Sequence, residues 1–324
     1  MDINWTTLTQ YLILGITNGA IIALIALGYT LVYGIVELIN FAHGEVFMMG
    51  AFLSLTIVGT FGLTSGASWA QIALISLVAL IAAMFFSGAL NWSIDRVIYR
   101  RLRNAPRLAP LIAAIGVSFI LQGIGIYWKG AATVLPPALI PTNYRSINVL
   151  TDWLGLETRI RFRALDLAVI LLTVPLLAAL SWLVYRTRTG KAMRAVAQDR
   201  GAAALMGIDV NRTIATAFLI GGILAGAAGF ITAYYINSAR FQMGFRYGLF
   251  AFTAAVLGGI GNLNGAVLGG LIIGLVWSLS DGFLQTFVPW WGAQWTPLMI
   301  FGVLVLVMVF KPTGLLGEAV PEKA

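Results

Sequence analysis

The stretch that decides the fold is residues 11–50, with the sequence YLILGITNGAIIALIALGYTLVYGIVELINFAHGEVFMMG. Its first part, Tyr11–Tyr33, contains no charged residue and exceeds the roughly 20 apolar residues that a helix needs to cross a membrane. A second apolar run follows at Val46–Leu63. Between the two runs lie carboxylates, an amide and a histidine, so we expect two membrane helices separated by a polar interruption.

The same pattern extends along the whole chain. Further apolar runs, the last of them short, lie at Ala70–Trp92, Leu108–Trp128, Leu167–Tyr185, Thr213–Tyr235, Gly248–Phe287 and Pro297–Phe310. The run Gly248–Phe287 is long enough for two segments, with a Gly/Asn interruption at Gly261–Gly265. We therefore predict an all-α polytopic membrane protein, a single domain over residues 1–324 with eight to nine transmembrane segments, broken helices and an internal repeat.

Composition excludes the other classes of protein. Of the 324 residues, 60% are hydrophobic and only 10% are charged, whereas a typical soluble domain has about 25% charged residues. A soluble enzyme and a disordered chain are therefore excluded. Cysteine is absent and His43 is the single histidine, so no metal site is expected. The net charge of +8 indicates basic cytoplasmic loops beside membrane lipid rather than a nucleic-acid partner.

The basic loops predict the orientation of the helices. Asp95–Arg107 carries five arginines, and Tyr185–Arg212 carries six basic residues. Two predicted helices separate these loops, so both are expected in the cytoplasm, and residues 129–166 are expected outside although they carry four arginines. The side of the N-terminus depends on whether Gly34–Gly44 is a complete cytoplasmic turn, which puts the N-terminus outside, or a break within the membrane.

The interruption after the first run is the strongest candidate for a translocation path. Glu37, Asn40, His43 and Glu45 lie between the two apolar runs, with Gly44 among them. Polar groups at membrane depth are costly, so they tend to face a cavity or a partner, and glycines suit a broken helix. The alternative is a short interfacial turn whose charges lie among the lipid headgroups.

A second interruption, residues 258–270, resembles the first because an asparagine precedes closely spaced glycines. Paired interruptions in the two parts of a transporter indicate an internal repeat with the translocation site between them. On this basis Asn262 and Asn264 join the candidate path. Glycines also recur every four residues, as at Gly15 with Gly19 and Gly222 with Gly226, which favours close helix packing within one subunit.

The loop from Arg186 to Arg212 is Ala-rich and predicted to be helical and cytoplasmic. The simplest interpretation is a solvated connecting helix, although its small residues would also fit a groove on a partner. The sequence contains no G-x-x-x-x-G-K-[ST] motif, because Gly190–Lys191 is followed by alanine, so no phosphate-binding loop for ATP is expected.

Residues 28–51, GYTLVYGIVELINFAHGEVFMMGA, closely resemble the signature of LivH-type permeases of ABC importers for branched-chain amino acids. Residues 190–207 and 310–317 are similar to the same family. The resemblance implies a multi-pass permease subunit of the inner membrane that moves branched-chain or other neutral amino acids. It implies no enzymatic activity and no cofactor.

The resemblance also implies partners: a second related permease, two cytoplasmic ATPase subunits and an extracytoplasmic substrate-binding protein. ABC importers dock on their ATPases through a cytoplasmic loop of the form E-A-A-x-x-x-G, and Ala202, Ala203 and Gly207 fit that spacing, with Gly201 in place of the glutamate. Residues 186–212 are then the coupling loop. Permeases for urea and short amides belong to the same branch and are one alternative; an ion-driven secondary transporter is another.

Overall fold

The computed structural model describes the chain except for residues 1–4, 37, 39, 62–67, 104, 107, 136–146, 156–159, 289, 318–324 and the side chain of residue 69. Glu37, Arg107 and much of the predicted external segment 129–166 therefore lie outside the described residues.

Long α-helices make up most of the described chain. In order they are α1 (Trp5–Val36), α2 (His43–Thr60), α3 (Trp69–Ile94), α4 (Leu108–Lys129), α5 (Ala164–Arg186), α6 (Arg188–Gln198), α7 (Arg200–Leu205), α8 (Val210–Tyr235), α9 (Met243–Gly258), α10 (Leu263–Ser278) and α11 (Thr296–Phe310). Helices α3 and α10 each continue through a π-helical turn, Asp95–Tyr99 and Leu279–Phe283, into a last short turn.

Eight of the helical stretches are long and apolar enough to cross a membrane. Helix α9 is also apolar but has only 16 residues. The predicted all-α polytopic fold with eight to nine segments is thus confirmed. Helix α9 begins at Met243, five residues before the predicted run at Gly248, because Arg246 interrupts the apolar pattern without interrupting the helix.

Two arginine contacts define one end of the bundle. Arg103, after the π-helical turn of α3, hydrogen-bonds to Asn211 in the first turn of α8. Arg200 at the start of α7 donates to the carbonyl oxygens of Ile35 (3.1 Å) and Val36 (2.6 Å) at the end of α1. We call this the basic end, because the arginine-rich segments that follow α3 and α5 meet there.

The opposite end is joined by polar contacts of its own. The Gln10 side chain donates to the Arg161 carbonyl oxygen (2.8 Å) and accepts from the Arg161 backbone N–H (2.7 Å). The Tyr235 hydroxyl at the end of α8 donates to the buried carboxylate of Asp166 (2.8 Å). Helix α1 therefore runs from the opposite end to the basic end, and α8 runs the other way.

The core consists of two sets of three helices, α1–α2–α3 and α8–α9–α10. Helix α1 packs against α10, while α8 packs against α3. The first contact places Gly19 so close to α10 that a Cβ atom there would lie 2.8 Å from Leu271 Cα. The second places Gly226 so close to α3 that a Cβ atom would lie 2.9 Å from Met84 Cα. Small residues permit this approach of backbones, as the glycine spacing predicts.

Helices α1–α2–α3 and α8–α9–α10 share the order of a long helix, an interruption and two further helices, and α1 and α8 run in opposite directions. Helix α2 starts seven residues after the end of α1, and α9 starts eight residues after the end of α8. The interruption that corresponds to residues 37–42 is therefore residues 236–242. The predicted counterpart, Gly261–Gly265, instead connects α9 to α10 at the basic end and approaches α1 at Gly34.

Candidate translocation site

The first turns of α2 and α9 meet inside the protein, and we call this contact the α2–α9 junction. It consists of Gly44 and Glu45 from α2 with Gly244 and Gly248 from α9. A Cβ atom on Gly44 would lie 2.9 Å from Gly248 Cα and would also clash with the Gly244 carbonyl group. Only glycine permits the two helix starts to cross this closely.

Glu45 is the third residue of α2, and its side chain is fully buried at the junction. Its Oε1 accepts hydrogen bonds from Ser118 Oγ (3.2 Å) and Gln122 Nε2 (2.9 Å), both on α4. Among the described residues its Oε2 has no hydrogen-bond partner. A Cβ atom on Gly244 would lie 2.8 Å from the carboxyl carbon of Glu45, so the carboxylate also lies beside the start of α9. Positive helix N-termini favour an anion at this position.

His43 lies in the same turn but in an apolar environment. Its ring packs edge-to-face on Tyr29, with centroids 4.7 Å apart, and it is buried. Gly28 makes room for it, because a Cβ atom there would lie 2.7 Å from His43 Cε1. Within the described residues, no three His, Asp or Glu side chains cluster in a way that could hold a metal ion.

Asn40 holds the interruption against α3. Its Oδ1 accepts from the Tyr99 hydroxyl (3.1 Å) and from the Ala42 backbone N–H (3.1 Å), while its Nδ2 donates to Asn91 Oδ1 (3.2 Å). Asn91 in turn donates to the Phe218 carbonyl oxygen (2.7 Å) on α8. Tyr99 belongs to the π-helical turn of α3, a feature that often occurs at functional sites.

Asn262 and Asn264 belong to a different network at the basic end. Asn262 caps α10 by accepting from the Gly265 backbone N–H (3.0 Å), and its Nδ2 donates to the Leu316 carbonyl oxygen (2.8 Å). Asn264 is exposed. The structure thus brings Asn40, His43, Gly44 and Glu45 together in one segment, and it places these two asparagines in the connection between α9 and α10.

A cavity of about 740 Å³ lies between α4 and α9, beside the junction. Ser118 and Gln122, the two donors to Glu45, line it. Phe41 lines it next to the interruption, and Arg240 lines it near the opposite end. Ser118, Gln122 and Arg246 are site residues that the sequence pattern did not predict. Their signal is the i, i+4 spacing of two polar residues in an apolar span, and an arginine in a short apolar helix.

The predicted coupling residues lie at the basic end. Asp199 caps α7 by accepting from the backbone N–H groups of Gly201 (2.8 Å) and Ala202 (3.0 Å). Ala203 is buried against the chain itself, whereas Ala202 is exposed. Gly207 ends the segment with φ of +80°, which a residue other than glycine would adopt only with strain.

Leu205 and Met206 directly precede Gly207 and are the most exposed apolar side chains of this segment, with 90% and 83% of their surface exposed.

Comparison with known proteins identifies the family. The model of the family described as the permease component of the branched-chain amino acid transport system matches residues 11–309. The chain belongs to this family. It is 38% identical over 322 residues to the high-affinity branched-chain amino acid transport system permease protein BraD of Pseudomonas aeruginosa, with 97% of each chain covered. It is 37% identical over 317 residues to the permease protein LivH of Escherichia coli, again with 97% of each covered.

More distantly, the permease is 27% identical over 316 residues to the probable LivH of Methanocaldococcus jannaschii, covering 93% of this chain and 92% of the relative. No solved structure matches the chain. The permease is therefore a multi-pass inner-membrane transport subunit and not an enzyme. Permeases of this family work with an ATP-binding and substrate-binding partner system. ATP hydrolysis takes place on the ATP-binding partners.

Proposed function

We propose that the permease forms one side of a membrane path for branched-chain amino acids and that this path passes the α2–α9 junction. The observation that carries the proposal is the buried carboxylate of Glu45, held between two helix starts by side chains that line a cavity. Substrate sites of secondary transporters are typically formed near the middle of the membrane by broken helices. The relatives that are named as branched-chain amino acid permeases support the substrate class.

The path has a direction if the basic end faces the cytoplasm. The arginines that meet there support this orientation. Helix α1 then starts outside, residues 129–166 are external, and residues 186–212 are cytoplasmic. The cavity would be open toward the external side at Arg240 and closed toward the cytoplasm at Phe41, next to Asn40 and His43. Asn262 and Asn264 would border only its cytoplasmic exit.

A second, related permease would complete the cavity. The exposed side chains along α4 are large and apolar, as at Ile112 (68% exposed) and Phe119 (67%), and Phe119 also lines the cavity. A surface of this kind suits lipid or another membrane subunit. The external side of the complex would receive the amino acid from a substrate-binding protein.

Two ATPase subunits would drive transport through helix α7 and the residues that follow it. Ala202 and Gly207 lie on the exposed surface beside Leu205 and Met206, and these four residues would contact the ATPase. Ala203 would instead hold α7 against the permease. Arg200, at the start of α7, would carry the movement to the end of α1, because it binds the carbonyl oxygen of Val36 just before the interruption.

The experiment that tests the proposed function is uptake by the complete complex in proteoliposomes, with leucine and urea offered separately. We expect leucine uptake, and we expect Glu45→Gln to reduce it while the complex still assembles. The Gln side chain keeps the size of Glu45 but removes the charge at the two helix starts. The matched control is Ser54→Ala, because Ser54 is buried on the same helix and its hydroxyl donates only to the Ala51 carbonyl oxygen (2.7 Å) of that helix.

Urea uptake without leucine uptake would replace the proposed substrate. Equal leucine uptake by Glu45→Gln and by the Ser54→Ala control would contradict the proposed path at the junction.

A further inference from the structure

Two arginines line the cavity between α4 and α9, and no acidic side chain is among its described lining residues. The guanidinium of Arg246 lies over the rings of Trp277 (5.6 Å) and Phe250 (5.7 Å). Both distances are within the range of a cation–π contact, and an arginine in such a contact keeps its N–H groups as donors for a ligand. A guanidinium held in this way is suited to bidentate binding of a carboxylate.

The side of the cavity formed by α4 has a carboxyl group behind it instead of arginines. The carboxylate of Glu45 lies behind Ser118 and Gln122, and both side chains donate to its Oε1. An ionised carboxylate can only accept hydrogen bonds, so the Gln122 amide must present Nε2 to Glu45. Its acceptor oxygen Oε1 then points away from Glu45. One side of the cavity thus has the Gln122 amide in front of the buried carboxyl group of Glu45, and the other side has the two arginines.

Much of the remaining lining is apolar, although Thr232, Ser238, Gln242 and Tyr247 also belong to it. Ile115 and Phe119 contribute from α4, and Met243 and Leu249 contribute from α9. An aliphatic side chain would lose contact with water in this space, which favours binding in proportion to the apolar area buried.

We infer that this cavity is a binding site for a zwitterionic amino acid with an apolar side chain, with Arg246 binding the α-carboxylate and the Gln122–Glu45 wall attracting the α-ammonium. This inference rests on the proposed function and adds the groups that recognise the substrate. Urea and short amides carry no anionic group that would use Arg246. The lining arginines therefore favour an amino acid over these neutral ligands.

The absence of cysteine from the chain permits a direct binding measurement. Ser238→Cys introduces one thiol of similar size into the cavity lining. The assembled complex is treated with a maleimide, and labelling is measured on the permease band, so that cysteines of other subunits do not contribute. Labelling is repeated with increasing concentrations of leucine, of glutamate, of leucinamide, which lacks the carboxylate, and of 4-methylpentanoate, which lacks the ammonium.

We expect leucine to protect the thiol, and we expect each analogue to need a concentration about tenfold to hundredfold higher, since each loses a charge-assisted contact. Arg246→Gln in the same background is expected to raise the protecting leucine concentration by a similar factor while leaving the weak effect of leucinamide unchanged. The control is Arg161→Gln. Arg161 is exposed at the end of the bundle opposite to the basic end, and it does not line the cavity.

Equal protection by leucine and leucinamide, or leucine protection that survives Arg246→Gln, would overturn the inference. So would stronger protection by glutamate than by leucine, which would make the site one for acidic amino acids. Leucine uptake by the unmodified complex separates failure of this inference from failure of the proposed function. If leucine is taken up but does not give the expected protection pattern, only the inference fails. If no amino acid is taken up, the proposed function fails and the inference fails with it.

Discussion

Gly44→Ala is the sharpest test of the α2–α9 junction. The added methyl group would lie 2.9 Å from Gly248 Cα and would clash with the Gly244 carbonyl group. Alanine favours the helix by about 0.5–1 kcal/mol, whereas overpacking costs about 1–3 kcal/mol. The upper part of that cost applies, because the atoms met are backbone atoms of α9 that cannot rotate away. We expect a net loss of about 2 kcal/mol in the free energy of unfolding, together with separation of the two helix starts.

The assay is the thermal unfolding midpoint of the purified complex, with leucine uptake in proteoliposomes as the functional measurement. The matched control is Gly302→Ala on α11, where a Cβ atom would meet no atom within 4 Å. The control should unfold at the same temperature as the unmodified protein or slightly above it. If Gly44→Ala behaves like the control in both measurements, the helix starts do not need this close approach and the reasoning is refuted.

Three further changes test other contacts. Arg200→Ala removes the hydrogen bonds to Ile35 and Val36, so we expect ATP hydrolysis to continue while the amount of leucine moved per ATP falls; an unchanged ratio would contradict the proposed coupling. Tyr99→Phe removes one hydrogen bond to Asn40 and should cost about 0.5–1.5 kcal/mol of stability, which a thermal midpoint equal to that of the unmodified protein would disprove. A cysteine at Asn143 should react with a membrane-impermeant maleimide from outside, and reaction only from the cytoplasmic side would invert the proposed topology.

The helical spans could be predicted from the sequence because their signal is local. An uncharged run such as Tyr11–Tyr33 has one stable arrangement in lipid, and its helix α1 extends only a few residues further at each end. The start of α9 was predicted five residues late because a hydropathy pattern does not show where an arginine can face a cavity. The sequence places the second interruption of the predicted repeat at Gly261–Gly265, but an asparagine before glycine is also an ordinary helix cap, as at Asn262.

The site was only partly predictable, for a different physical reason. Asn40, His43 and Glu45 are conspicuous because they interrupt an apolar pattern within a few residues. Ser118 and Gln122 contact Glu45 from 73 and 77 residues away along the chain. Such a contact depends on how α4 packs on α2, and no local pattern encodes that packing.

The position of Glu45 links its charge to the distance between α2 and α9. A buried anion is stable only where opposite charge or hydrogen-bond donors compensate it, and here two donors on α4 and the starts of two helices do so. A movement that separates α9 from α2 would remove one helix start and leave Oε2 without compensation. We therefore expect any state in which the helices separate to bring either water or the ammonium group of a substrate to Glu45. The charge of Glu45 would then favour the open junction when a cation is present and the closed junction when no cation is present. Glu45→Gln should weaken this dependence of the junction on a cation even where the complex assembles normally.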